Sequence, residues 1–218
     1  MSKTIRLRES VSGLTHLAGA LLSGAGLVAL LAVSHGQGFW RESALAVFGI
    51  ALVLLFGASA AYHLLPLSPA GTLALRRADH IMIYVLIAGT YTPLCLIPLW
   101  GLWGWSLLGA IWALALAGII MATLWLNAPR WLSTALYVIM GWLVVIAVVP
   151  LLRTFSLGGL AWLLVGGLFY TVGAVIYATR RPDPAPGVFG FHEIWHFFVL
   201  AGGLSHFWAV FRFIALIP

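Results

Sequence analysis

Charge is what this chain has least of. Only 7% of its 218 residues are Asp, Glu, Lys or Arg, and just five are acidic. A water-facing domain carries roughly a quarter charged residues, so a soluble globule is excluded. Cysteine is scarcer still. The lone Cys95 cannot close an intrachain disulfide, and pairing therefore says nothing about compartment. Long polar linkers, internal repeats and low-complexity tracts are missing, which leaves a single domain spanning 1–218. No glycine loop has the strand-to-helix setting of a phosphate cradle. The formal charge of +6 is spread over short loops rather than gathered on a patch, which argues against a nucleic-acid partner. What the chain has instead is apolar surface: 63% hydrophobic residues and a mean hydropathy of +1.09. Its solvent is lipid.

Seven apolar stretches are each near the roughly 20 residues needed to cross a bilayer as helix. They run from Gly13 to Ser34, Ser43 to Leu65, Asp79 to Pro98, Gly104 to Leu126, Trp131 to Leu151, Gly158 to Thr179 and Gly190 to Ile214. Breakers separate them, among them His35 to Gly38, Pro66 to Gly71, Pro98 to Gly101, Asn127-Ala128-Pro129 and Pro182 to Gly187. Pro93, Pro98 and Pro150 are expected to kink or end the third and fifth helices. The expected fold is an all-α membrane protein, a seven-transmembrane helix bundle.

Basic residues orient it. With the N terminus cytoplasmic, Lys3, Arg6, Arg8, Arg76, Arg77, Arg130, Arg180 and Arg181 lie inside, and only Arg41, Arg153 and Arg212 lie outside. That asymmetry obeys the positive-inside rule and puts the C terminus outside. The first apolar run is too long for a secretory signal core and has no small-residue cleavage site, so it is read as helix one. Trp40, Trp100, Trp103 and Trp105 then anchor the outer interface and Trp131 the inner one.

The topology gathers the scattered polar residues. His192-Glu193-Ile194-Trp195-His196 places two imidazoles one helical turn apart on one face, spaced to share a metal ion. Ser59 and His63 have the same spacing near the cytoplasmic end of the second helix, and Asp79 and His80 open the third at that depth. The constellation is three imidazoles, one serine and one carboxylate from three helices. Three neutral histidines leave one tetrahedral position open, which suits a catalytic Zn2+ better than a closed structural site. Asp79 would serve as general base or orient water, and Ser59 would hydrogen-bond the water, the carboxylate or a substrate carbonyl. An ionised aspartate within the bilayer costs about 2.5 to 3.5 kcal/mol or more, which a nearby dication offsets.

The same residues carry a family resemblance. Ser59-Ala60-Ala61-Tyr62-His63, Asp79-His80-Ile81-Met82-Ile83-Tyr84 running into Ala88-Gly89-Thr90-Tyr91-Thr92-Pro93, and His192 to His196 with Gly202 and His206 downstream resemble bacterial hemolysin III proteins. These group with the progestin and adipoQ receptor family, which includes adiponectin receptors. The resemblance spans all seven helices. It implies an intramembrane zinc near the cytoplasmic face, with His63, His192 and His196 as ligands and Ser59 and Asp79 beside the water. Because the wider superfamily includes alkaline ceramidases, it also implies hydrolysis of a lipid amide.

H-E-x-x-H also marks zinc proteases. The extended metzincin pattern fails here, since Val199 and Gly202 stand where glycine and histidine are needed. Glu193 points about 100° away from His192, so it is read as an interfacial carboxylate or a partner for Arg76 or Arg77. His206 lies about 15 Å beyond His196 along the helix, too far for the same ion, and is assigned to packing or an interhelical hydrogen bond. His80 is read as an interface residue or one supporting the site, and His35 as a solvated loop residue. His16, with Glu9 and Thr15, is placed near the cytoplasmic mouth. The preferred function is a zinc-dependent hydrolase of a lipid amide or ester, ceramide-like or fatty-acyl, in a bacterial inner membrane. The alternative is a non-catalytic sensor or receptor-like regulator with structural zinc. A haemolytic or pore-forming role is weaker, because no line of charge repeats through the span.

Overall fold

The computed structural model describes residues 10–125, 128–185 and 189–216. The expectations for Lys3, Arg6, Arg8, Glu9, Leu126, Asn127 and Gly187 concern residues outside that set. Seven helical segments are long and apolar enough to cross a membrane, and no strand occurs among the described residues. They are α1 (Ser10–Ser34), α2 (Phe39–Leu64), α3 (Pro69–Leu96), α4 (Leu102–Leu124), a broken fifth span, α7 (Leu157–Thr179) and α8 (Phe191–Val210), which continues through a π-turn at Phe211–Ala215. The fifth span comprises α5 (Arg130–Trp142), a 3-10 stretch at Leu143–Ala147 and α6 (Val148–Thr154).

α3 begins well ahead of Asp79. Ser68 caps it, its hydroxyl accepting from the Gly71 N–H, and Pro69 supplies a preset first turn without needing a hydrogen bond at its nitrogen. Asp79 and His80 therefore sit in the interior of a helix rather than at its start. The turns are made by Gly38 and Gly101, with φ of 102° and 113°, where a side chain would be strained.

Pro150 explains the interruption of the fifth span. Its ring removes the hydrogen bond to the carbonyl of Ile146 and crowds that oxygen, and the 3-10 stretch contains Ile146. Lipid offers no substitute partners for freed backbone groups. At the start of the break, upstream of Ile146, Tyr91 of α3 supplies them: its hydroxyl lies 2.8 Å from the Met140 carbonyl oxygen and 2.9 Å from that of Gly141, and accepts from the Val144 N–H at 2.8 Å.

α2 packs between α1 and α3, α4 lies beside α3, α7 pairs with α8, and α8 returns to α1. Close approaches depend on absent side chains. Tyr84, fully buried on α3, crosses Gly118 of α4, where a Cβ would lie 2.3 Å from its ring. A Cβ on Gly13 of α1 would lie 2.5 Å from the Leu64 side chain and 3.2 Å from the Cβ of His63, so α1 passes close to the end of α2. Between α1, α2, α3, α5, α7 and α8 a cavity remains.

Candidate metal centre

Three histidines meet at one end of that cavity. Ser59 and His63, one turn apart near the end of α2, are both 2% exposed. His192 and His196 rise from the first turns of α8. Ring centroids lie 5.2 Å apart for His63 and His192, 4.8 Å for His63 and His196, and 4.7 Å for His192 and His196. One ring nitrogen from each falls within 4.8 Å of the other two, so the group could hold a metal ion.

The nitrogens themselves test that fit. Nε2 of His192 and Nε2 of His196 face each other at 3.2 Å. Two neutral imidazoles can share one proton there, but ligand nitrogens about 2.0–2.1 Å from a tetrahedral ion are separated by about 3.3 Å. The spacing on α8 suits a shared ion as it stands, and His63 brings a third nitrogen within 4.8 Å of that pair. The donor set, all imidazole, suits a borderline-soft cation rather than magnesium or calcium.

Around the triad lies a cavity of about 900 Å³ whose wall includes Ser59, Asp79 and all three histidines. Asp79 is half-buried and stands outside the group within ligand distance, in the same wall as the hydroxyls of Tyr62, Tyr137 and Tyr177. His16 of α1 also lines the cavity. Its ring lies 3.9 Å from that of His196 and edge-on to Phe56 at 5.1 Å, and its Nε2 is 3.4 Å from the His196 carbonyl oxygen.

Glu193 has a structural task. One carboxylate oxygen accepts from the Gly190 N–H at 2.8 Å, satisfying a donor ahead of the first turn of α8. The other accepts from the Ser12 hydroxyl at 3.3 Å, so the expected pairing with Arg76 or Arg77 gives way to a cap that also ties α8 to α1. His206 hydrogen-bonds the Leu163 carbonyl across to α7 at 3.1 Å, an interhelical contact remote from the triad. His80 meets the Arg76 carbonyl at 2.7 Å within its own helix and lines the cavity. His35 is exposed.

Sequence reasoning did not single out Arg130, Tyr177 or Tyr91 as part of this region. All three line the cavity, Arg130 and Tyr177 because α5 and α7 converge there, and nothing in the neighbours of those two signals it.

Comparison with known proteins places the chain in a family. A family model described as Haemolysin-III related matches residues 5–207. The chain belongs to that family. It is 37% identical over 212 residues to a Bacillus subtilis (strain 168) protein named Hemolysin-3 homolog, covering 96% of each chain. It is 38% identical over 208 residues to the Bacillus cereus protein named Hemolysin-3, covering 94% of this chain and 91% of the other. A more distant relative is the Homo sapiens protein named Monocyte to macrophage differentiation factor, 25% identical over 183 residues, covering 82% and 74%. Seven apolar helices together with this family make the chain an integral, multi-pass membrane protein.

Proposed function

We propose that the protein is a zinc-dependent hydrolase of a lipid amide or ester, with His63, His192 and His196 holding the ion. The observation that carries this reading is the meeting of three imidazoles with Ser59 and Asp79 in the wall of one intramembrane cavity. Zinc, when bound, supplies a Lewis acid that polarises a carbonyl and acidifies water. The chain's own residues do the rest. Asp79 takes a proton from the attacking water, whose oxygen bonds to the carbonyl carbon. The carbon–nitrogen or carbon–oxygen bond breaks, and that proton passes to the departing amine or alcohol. Ser59 orients the water or the carbonyl, and the cavity wall keeps the lipid's apolar part out of water. Asymmetry of the basic residues supports a cytoplasmic N terminus and a site near the cytoplasmic face of a bacterial inner membrane.

Metal analysis of freshly purified protein, beside a His192→Ala/His196→Ala variant, is the first test. Zinc near one equivalent in the parent and little in the variant is expected; equal, negligible zinc in both would sink the site. The second test is a panel of lipid amides and esters, on which loss of turnover in His63→Ala and Asp79→Ala is expected. Undiminished turnover in both would remove the mechanism.

A second reading has one observation in its favour. Asp79 lies outside ligand distance of the triad, and the histidines tie α2 to α8. In a sensor or receptor-like regulator zinc would be structural. Its removal would then lower thermal stability while no lipid on the panel turned over.

A further inference from the structure

Two arginines from different helices line the metal-site cavity and form no ion pair with a carboxylate among the described residues. Arg76 lies inside α3 and Arg130 at the first position of α5. Of the three carboxylates in that wall, two are committed elsewhere: Glu193 to the Gly190 N–H and the Ser12 hydroxyl, and Asp183 to the Phe191 N–H. Among the described carboxylates of the wall, Asp79 is the one with no such hydrogen bond to another group.

Arg130 is held in place. Its guanidinium lies 5.3 Å from the ring of Tyr177 and 5.9 Å from that of Phe191. Both rings also contact His192, at 6.1 and 6.3 Å, so two aromatic side chains stand between this cation and the triad. Arg76, Arg130 and Tyr177 line the same cavity, so α3, α5 and α7 converge there. A cation at the first position of a helix sits against the positive end of the helix dipole. Topology alone would be served as well by a lysine or arginine in the preceding loop. Arg76 also borders a second recess, about 470 Å³, whose wall includes Tyr62, Leu67, Pro69 and Leu73. The apolar lining beside the guanidinium suits a chain attached to an anion.

We propose that Arg76 and Arg130 form a phosphate-recognition site in the wall of the cavity, which holds the headgroup phosphate of an anionic lipid. Guanidinium is suited to this task through its fork of donors and weak hydration. Tyr177 adds a hydroxyl. If the hydrolase reading holds, the phosphate grips the lipid at one point while its carbonyl reaches the histidines. Binding does not depend on that reading, so it is measured without turnover.

The experiment uses the full chain in nanodiscs of dioleoylphosphatidylcholine, titrated with short-chain phosphatidylglycerol or with inorganic phosphate, and read by thermal stabilisation and native mass spectrometry. The parent is expected to prefer phosphatidylglycerol to phosphatidylcholine by at least tenfold. Arg76→Gln and Arg130→Gln are expected to bring that preference near parity, Arg130→Lys to retain part of it, and metal content to stay unchanged. Arg77→Gln and Arg181→Gln, outside the cavity wall, should behave as the parent. Stabilisation by inorganic phosphate that depends on the same two arginines would support the site with a soluble phosphate as its source. Equal preference in the parent and both glutamine variants, or equal loss in Arg77→Gln, would overturn the proposal. Absence of lipid turnover in the parent with this preference intact would count against the hydrolase reading alone.

Discussion

His16 of α1 packs against His196 of α8 at a centroid separation of 3.9 Å with the rings tilted by 39°, both side chains 3% exposed. With Nε2 of His16 facing the His196 carbonyl, α1 holds a proposed ligand by both ring and backbone. Groups that orient a ligand commonly change metal affinity by about 10–100-fold when removed. His16→Ala is therefore expected to weaken zinc binding about tenfold in a competition titration, and His16→Phe to restore much of it by refilling the contact. Parent-like affinity in the alanine variant would show that the contact does not position His196.

Glu193 and Asp79 offer a direct comparison of two carboxylates. A protease-like site would depend on Glu193, whereas the geometry gives that residue a capping task and leaves Asp79 in the wall beside the triad. Glu193→Gln keeps an amide oxygen to accept from Gly190, so turnover and zinc content are expected within about twofold of the parent. Asp79→Asn should keep zinc and lose lipid turnover by about 100-fold or more, the usual scale of a general base. The reverse ranking would return the base role to Glu193.

Tyr91 braces the break in the fifth span through one hydroxyl touching Met140, Gly141 and Val144. Tyr91→Phe leaves those backbone groups unpaired in a medium without water. A loss of about 1–3 kcal/mol is expected, read as a lower unfolding temperature in detergent. No shift would mean that the backbone closes its own gap.

Gly104 meets backbone rather than a yielding side chain. A Cβ there would lie 2.2 Å from the Cys95 carbonyl oxygen and 2.5 Å from that of Leu99, so Gly104→Ala must push the start of α4 away from the end of α3. It is expected to lower stability by about 1–3 kcal/mol. Gly109, on the same helix with nothing within 4 Å, is the control: Gly109→Ala should be neutral or slightly stabilising.

The histidine pair on α8 and the Ser59–His63 pair on α2 are legible in the sequence because a helix puts residues four apart on one face, whatever surrounds it. Their meeting is anticipated by counting spans, since alternate crossings bring the end of α2 and the start of α8 to the same depth. The true start of α3 escapes a hydropathy pattern, which ends where charge begins, at Arg76 and Arg77, whereas Ser68 and Pro69 carry the helix further. Spacing directs Glu193 away from the metal, but its partners, Gly190 and Ser12, depend on how α1 lies against α8.

By itself, then, the sequence determined the consequences of solvent and local periodicity: a lipid-embedded chain, seven crossings and two histidine-bearing faces. Tertiary structure decided the features that depend on contact between helices distant in sequence. It brought the three imidazoles within ligand distance, set His16 against His196, gave the break in the fifth span its brace in Tyr91, and brought Arg76 and Arg130 into the wall of one cavity. Hydropathy is a property of each residue and its neighbours, whereas convergence depends on the angles and distances at which helices pack, which no local pattern encodes.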